Sequence, residues 1–284
     1  MKVSKEYPVI AWWSGGITSA IACHLCVEWF GLDCVRIIFM DTKSEDADTY
    51  RFKNDCEKWY GKTIETLTND GYTDVEDVWR QHLSLNLANG AKCSEVLKIT
   101  PRKKFETRNK YSYQAFGFDV DELHRAIAMK ANNPASNPIF PLLAMCVSKK
   151  ECFKILPNDL FLKIEPPRVY KLGFLNNNCF EYGCVQGGIG YWQKMKREQP
   201  VKFYRRAKIE HELTDAKGTP VTMLKDQSEG GGLVFLLPHP KYPNVKDISM
   251  MKGREPKPLM ECNGFCGTND LKKNETENEI NYQG

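Results

Sequence analysis

The residues best suited to chemistry begin with one short string, Ser14-Gly15-Gly16-Ile17-Thr18-Ser19, set between an apolar run and a helix-compatible run. Two glycines let the backbone close on an anion without Cβ clashes. A strand that ends there and feeds a helix aims the first helical N–H groups, and the positive end of the helix dipole, at that anion. Ser14, Thr18 and Ser19 add hydroxyl donors. No Gly-Lys-Ser/Thr follows at the required spacing, so this is not a Walker loop. Two cysteine pairs form a second constellation. Cys179 and Cys184 lie in a Gly/Asn-rich turn region, and Cys262 and Cys266 lie far downstream. Paired cysteines in distant loops are how a chain closes a four-thiolate site. Their spacings are not the Cys-x2-Cys knuckles of structural zinc, which tilts the reading to an iron–sulfur cluster, with Zn2+ as the alternative. Four buried or disulfide-capable cysteines are the plain reading. The third candidate is Lys92-Cys93 with Lys98. A lysine in a site lined by backbone donors is a point charge for an anion. Cys93 is open between a reactive thiol, activated by Lys92 and Lys98, and an inert packed one.

The elements around these residues follow from apolar patterning. Residues 17–30 read as a helix closed by Gly31. Residues 34–40 are a second apolar strand that ends at Asp41-Thr42. The opening is thus β-loop-α-β, the start of a doubly wound, mostly parallel α/β sheet. Ligands of such sheets sit at the C-terminal strand ends, where Ser14–Gly16 and Asp41-Thr42 both fall. A helix over 49–60, capped from the acidic loop before it by Asp48 and Thr49, a strand over 62–67 and a helix from 72 continue the pattern. Tyr113–Phe118 is a strand, and Asp121 opens a helix in which Glu122 and Arg125 are either anion-binding groups or a plain i,i+3 pair. The expected organisation is a nucleotide-binding region at 1–170, a smaller cysteine-cluster region at 171–270 and a polar, disordered tail at 271–284. Cys23, Cys26 and Cys34 read as core packing.

The chain has 284 residues, 42% hydrophobic, with a net charge of +4 and eleven cysteines. It can bury a sizeable core. No run of 18 apolar residues exists, which excludes a membrane span, and no apolar leader precedes the first strand, so a cytoplasmic protein is expected. An odd cysteine count without an export signal disfavours a disulfide framework. The mild basicity permits an anionic partner without demanding nucleic acid. The basic helix expected at 193–208, with Lys194, Lys196, Arg197, Lys202, Arg205, Arg206 and Lys208 among aromatics, reads as a solvated face or a nucleic-acid surface. Ser228–Gly232 precedes a strand rather than a helix, so it is a loop and not a second cradle.

Ser-Gly-Gly-x-Thr-Ser resembles the loop of the PP-loop ATP pyrophosphatases (adenine nucleotide α-hydrolases), usually Ser-Gly-Gly-x-Asp-Ser, with Thr18 in place of the Asp. Four further segments, in order, resemble phosphoadenosine phosphosulfate (PAPS) reductases and their relatives. These are Phe39–Thr49, the Cys-x4-Lys-x2-Pro of Cys93, Lys98 and Pro101, the Gly-x4-Glu-x2-Arg of Gly117, Glu122 and Arg125, and Pro141-Leu142 with Lys149 and Glu151. Asn178-Cys179 to Trp192, with the late Cys-x3-Cys-Gly, is similar to PAPS-reductase-like proteins beside DNA-modification systems, including the sulfurtransferase of DNA phosphorothioation.

The resemblance implies that Ser14, Gly15, Gly16, Thr18, Ser19, Asp41, Thr42, Gly117 and Glu122 hold ATP or a PAPS/APS-type nucleotide with Mg2+. It implies that the backbone of 38–40 reads adenine and that Cys93, Lys98 and Arg125 act in the reaction. Cys179, Cys184, Cys262 and Cys266 would hold the cluster. The activity implied is adenylylation with pyrophosphate release and sulfur transfer. A sulfur-donor protein such as a cysteine desulfurase, a nucleic-acid substrate and a homo-oligomer are the expected partners. Reduction of a sulfonucleotide is the rival enzyme reading, although the catalytic Glu-Cys-Gly-Leu/Ile-His segment of true reductases is missing. The Thr18 substitution supports a third reading, a non-catalytic nucleotide-sensing or DNA-docking module.

Overall fold

The computed structural model describes residues 2–87 and 90–259, with side chains at 2–85 and 91–259. Cys262, Cys266 and the tail at 271–284 lie outside the described residues.

The central sheet has five strands, all parallel, in the order β3-β2-β1-β6-β7. Its strands are β1 (Val9–Trp13), β2 (Val35–Met40), β3 (Ile64–Leu67), β6 (Tyr113–Ala115) and β7 (Pro138–Ile139), while β4 (Asn86–Leu87) and β5 (Gly90–Ala91) form a small antiparallel pair apart from it. Side chains alternate across a strand, so a sheet covered on both faces needs strands apolar throughout. The strand β1 shows this residue by residue. Val9, Ala11 and Trp13 enter one core, with Val35, Ile37 and Phe39 of β2. Ile10 and Trp12 enter the other, with Ile38, Met40, Phe116 and Phe118.

Helix α1 (Ile17–Phe30) ends at Gly31, whose φ of 78° suits a glycine. Cys23 and Cys26 are buried and Cys34 is half-buried. Helix α2 (Ala47–Tyr60) is capped by Asp46, whose side chain accepts the Asp48 N–H. The sequence had pointed to Asp48 and Thr49 as the capping residues. Instead Asp48 pairs with Arg51, and Thr49 is fully buried.

Helix α3 (Val75–His82) leads into a continuous helical stretch: α4 (Lys92–Ser94), a π turn at Glu95–Ile99 and α5 (Thr100–Arg108). Five helices follow: α6 (Leu123–Asn132), α7 (Pro141–Ala144), α8 (Lys149–Ile155), α9 (Arg168–Lys171) and α10 (Ile189–Glu198). The last, α11 (Pro200–Lys217), precedes a small sheet of β8 (Leu224–Lys225), β9 (Leu233–Phe235) and β10 (Lys246–Asp247).

A third core joins the second half to α3 and α4. Val78, Trp79 and Leu97 pack with Phe174, Phe180, Trp192, Phe203 and Leu236. Fully buried Arg206 is paired there with Glu76, which also meets Arg205. The expected single basic helix is therefore two helices, broken before Pro200, which has no N–H to continue the ladder. Much of its charge is spent internally. Lys202 meets Glu181 and Asp46, and Lys194 and Lys196 lie over the rings of Phe174 and Phe203.

Candidate nucleotide site

The end of β1 turns through Ser14–Gly16 into α1. Gly15 takes φ +84°, and a Cβ there would meet the Thr49 methyl at 2.8 Å. Ser19 binds the turn together. Its hydroxyl accepts the Ser14 N–H at 3.0 Å and the Ser14 hydroxyl at 2.9 Å, and donates to the Gly16 carbonyl at 2.9 Å. Ser19 is thus a brace of the loop. Thr18 is buried beside it. The cap residue Gly16 offers no side-chain acceptor, and no acidic residue stands in the first turn of α1. Gly15 and Gly16 are buried, and their N–H groups have no partner among the described residues. Burying a backbone donor unpaired is costly, so loop amides of this kind are built for an acceptor.

Gly117 lies directly behind the loop. A Cβ on it would come within 2.6 Å of the Ser19 Cα, so only a glycine allows this approach. Glu122 and Arg125, five and eight residues on, form an ion pair with each other. Glu122 completes the Asp119 capping box, and the Arg125 guanidinium stacks 4.5 Å over Phe118.

Beside the loop, β2 ends at Asp41-Thr42. Asp41 accepts the Tyr50 hydroxyl at 2.9 Å. Thr42 donates to Glu45 at 3.0 Å and lies 3.4 Å from the Cys179 sulfur. Glu45 also accepts the Cys179 N–H at 3.1 Å. Burial pushes the Glu45 carboxyl up, and the neighbouring Lys98 ammonium pulls it back. Lys98, in the π turn, is 4% exposed. The structure therefore brings Lys98 and Cys179 to the acidic loop after β2. Cys179 itself holds φ +42°, a conformation L residues rarely adopt, of the kind that collects at working sites. Cys179 and Cys184 both act on the Tyr191 hydroxyl, which receives the Cys184 N–H at 3.3 Å. Cys93 packs, half-buried, against the same third core. Among the described residues, no group of three or more His, Cys, Asp or Glu is placed to hold a metal. Cys179 and Cys184 are two candidate thiolates for one.

Three more residues complete the loop, and their types alone carried no signal for it. Asn177 donates its side-chain amide to the Gly15 carbonyl at 3.0 Å and to Thr49 at 2.9 Å. Tyr170 offers its hydroxyl to the Ile17 N–H at 3.1 Å. Arg168 reaches Asp46 at 2.8 Å, and its backbone N–H donates to Asp48 at 2.7 Å. The segment 168–179 is thus a strap across the loop, held by bonds to residues more than 100 positions away.

Residues 8–136 match the model of the phosphoadenosine phosphosulfate reductase domain. An uncharacterized protein of Methanocaldococcus jannaschii is 26% identical over 199 residues, 68% of this chain and 39% of that protein. The chain therefore spans about two fifths of the length of the curated relative it matches. Among solved structures, the PAPS reductase of Candida auris in its phosphate complex aligns over 60% of this chain and 80% of its own, at 16% identity and a TM-score of 0.43. The U34-tRNA thiolase NcsA of Methanococcus maripaludis, solved with its 4Fe–4S cluster, aligns over 74% of each chain, at 14% identity and a TM-score of 0.38. Neither alignment is close enough to carry a residue's role across. No described helix is long and apolar enough to cross a membrane.

Proposed function

We propose that this chain, whose residues 8–136 match the phosphoadenosine phosphosulfate reductase domain model, is a cytoplasmic enzyme of the PP-loop, PAPS reductase-like kind that binds ATP or a related adenine nucleotide at Ser14–Ser19, adenylylates a substrate and supports sulfur transfer. The observation that carries this reading is the pair of buried loop amides at Gly15 and Gly16, without a partner among the described residues, ahead of a helix whose first turn has no acidic residue. Phosphate oxygens accept from such amides, and the dipole of α1 favours their charge. The strand-end backbone at 38–40 takes the adenine edge, and Asp41 with Mg2+ serves the phosphates. Lys98 balances charge on the phosphates during transfer, with Arg125 behind it.

In the adenylylation, an acceptor oxygen forms a bond to the α-phosphorus as the bond to the β-phosphate oxygen breaks. Pyrophosphate leaves, and the adenylylated acceptor becomes the electrophile for a sulfur nucleophile, whose attack forms the carbon–sulfur bond and releases AMP. Cys93 is a candidate carrier of that sulfur. Cys179, Cys184, Cys262 and Cys266 would hold an iron–sulfur cluster, which would supply sulfur or electrons, or alternatively Zn2+. A cysteine desulfurase would supply the sulfur, and nucleic acid is the acceptor class put forward.

A second reading, thiol-dependent reduction of a sulfonucleotide, is favoured by the domain match itself. Incubating anaerobically purified protein with labelled ATP, and separately with PAPS and a thiol, distinguishes the two. Pyrophosphate release that depends on an acceptor supports the first reading. Sulfite production without ATP supports the second. If neither product forms, both enzyme readings fail and the nucleotide-sensing module stands.

A further inference from the structure

Ile17 is the first residue of α1, and its N–H is one that a phosphate on this loop would use. In the structure that N–H is taken by the Tyr170 hydroxyl at 3.1 Å, from the strap. The neighbouring amides of Gly15 and Gly16 have no partner among the described residues. We infer that Tyr170 is a phosphate surrogate: its oxygen holds the Ile17 amide until a phosphoryl oxygen of the substrate displaces it. The inference rests on the nucleotide reading of the loop.

The exchange favours the phosphate on elementary grounds. A phenol oxygen accepts as a neutral group. A phosphate brings charge, meets the helix dipole and can engage several amides at once. The strap need not detach for the exchange to occur. It stays tied through Arg168 to Asp46 and Asp48, and through Asn177 to Gly15 and Thr49. Tyr170 is only half-buried, edge-on to Phe153 at 5.1 Å, with the Lys149 ammonium 5.6 Å over its ring. Its side chain can swing toward solvent, and a cation already stands beside the seat it leaves. Tyr170 is therefore a positioning residue that keeps the loop ordered and taxes anion binding by one hydrogen bond.

Calorimetric titration of the full chain and of Tyr170→Phe with inorganic pyrophosphate, and then with ATP, tests this. The phenylalanine keeps the ring contacts and removes only the competing oxygen. Tyr170→Phe is expected to bind pyrophosphate about three- to tenfold more tightly, the worth of one neutral hydrogen bond. Equal or weaker binding overturns the surrogate role and leaves the nucleotide site standing. Absence of binding by both proteins overturns the nucleotide reading and the surrogate role with it. A measurement on the unaltered chain guards against a misfolded variant. Pyrophosphate should shift the ring resonances of Tyr170 and of its edge-on neighbour Phe153 in nuclear magnetic resonance spectra, as the phenol leaves its seat. Unchanged ring resonances at saturating pyrophosphate overturn the inference.

Discussion

Within Ser14–Ser19 the Ser19 hydroxyl braces the turn through bonds between residues five apart or fewer, and the strap adds Asn177 and Tyr170 from outside. Around Cys179 the pattern is reversed. Its partners Thr42 and Glu45 lie more than 130 positions away, and the charge pair in the same core joins Glu76 to Arg206. The loop is a local device set on a sheet. The cysteine region is a tertiary device and exists only where the two halves meet. A local device survives small losses of stability, whereas a tertiary one fails with its anchors. Substitutions in the two regions should therefore differ in size and in cooperativity.

The largest effect is expected at Glu76→Ala, which strands the fully buried Arg206 charge. Breaking such a pair from one side costs about 3–5 kcal/mol. Urea unfolding should show that loss, while the double replacement Glu76→Leu with Arg206→Met should recover most of it. A loss below about 1 kcal/mol would mean that the second half does not depend on this anchor.

Next in size is a pH effect from the same half. Burial pushes the Glu210 carboxyl from 4.5 up to about 8, against two backbone N–H donors, of Met223 and Leu236, that lower it. The folded chain therefore holds a proton that the unfolded chain gives up. That stability is fully present below about pH 4.5 and is lost as pH rises through about 8. Each unit of displacement is worth about 1.4 kcal/mol, so thermal unfolding between those limits should show a fall of a few kcal/mol. Glu210→Gln should flatten the fall, and an unchanged slope would assign it to another group.

Glycine substitutions make the comparison sharpest. Gly117→Ala drives a Cβ into the Ser19 backbone, so a loss of about 1–3 kcal/mol and weakened ATP binding are expected together. Gly188→Ala, in the cysteine region, meets nothing within 4 Å, and its change should stay within about 0.5 kcal/mol. Matching losses at the two sites in denaturant unfolding would erase the distinction. An effect between those of the two glycines is expected at Asn177→Ala. It unpairs the Gly15 carbonyl and Thr49 for about 1–2 kcal/mol, and calorimetry should show ATP affinity falling with it.

The same contrast explains what the sequence made legible. The parallel sheet, α1 with its closing Gly31 and the glycine turn ahead of it were readable because apolar runs and glycine spacing are local signals. Gly117 was readable through its family motif, and the structure supplies the reason in its contact with Ser19. Tyr170, Arg168 and Asn177 were not readable, because a tyrosine or asparagine in a loop has no period that points to a partner 120 or more positions away. The basic run at 193–208 misled for a related reason. Composition shows charge but not whether Glu76, Glu181 and Asp46 wait opposite to absorb it.

The most direct test of the central claim is amide hydrogen exchange across Ser14–Ile21 with and without ATP. If Gly15 and Gly16 present their N–H groups to phosphate, exchange in that peptide should slow markedly on addition of ATP, and pyrophosphate should reproduce the effect. Unaltered exchange at saturating ATP, or protection confined to the second half, would contradict a nucleotide site built on this loop.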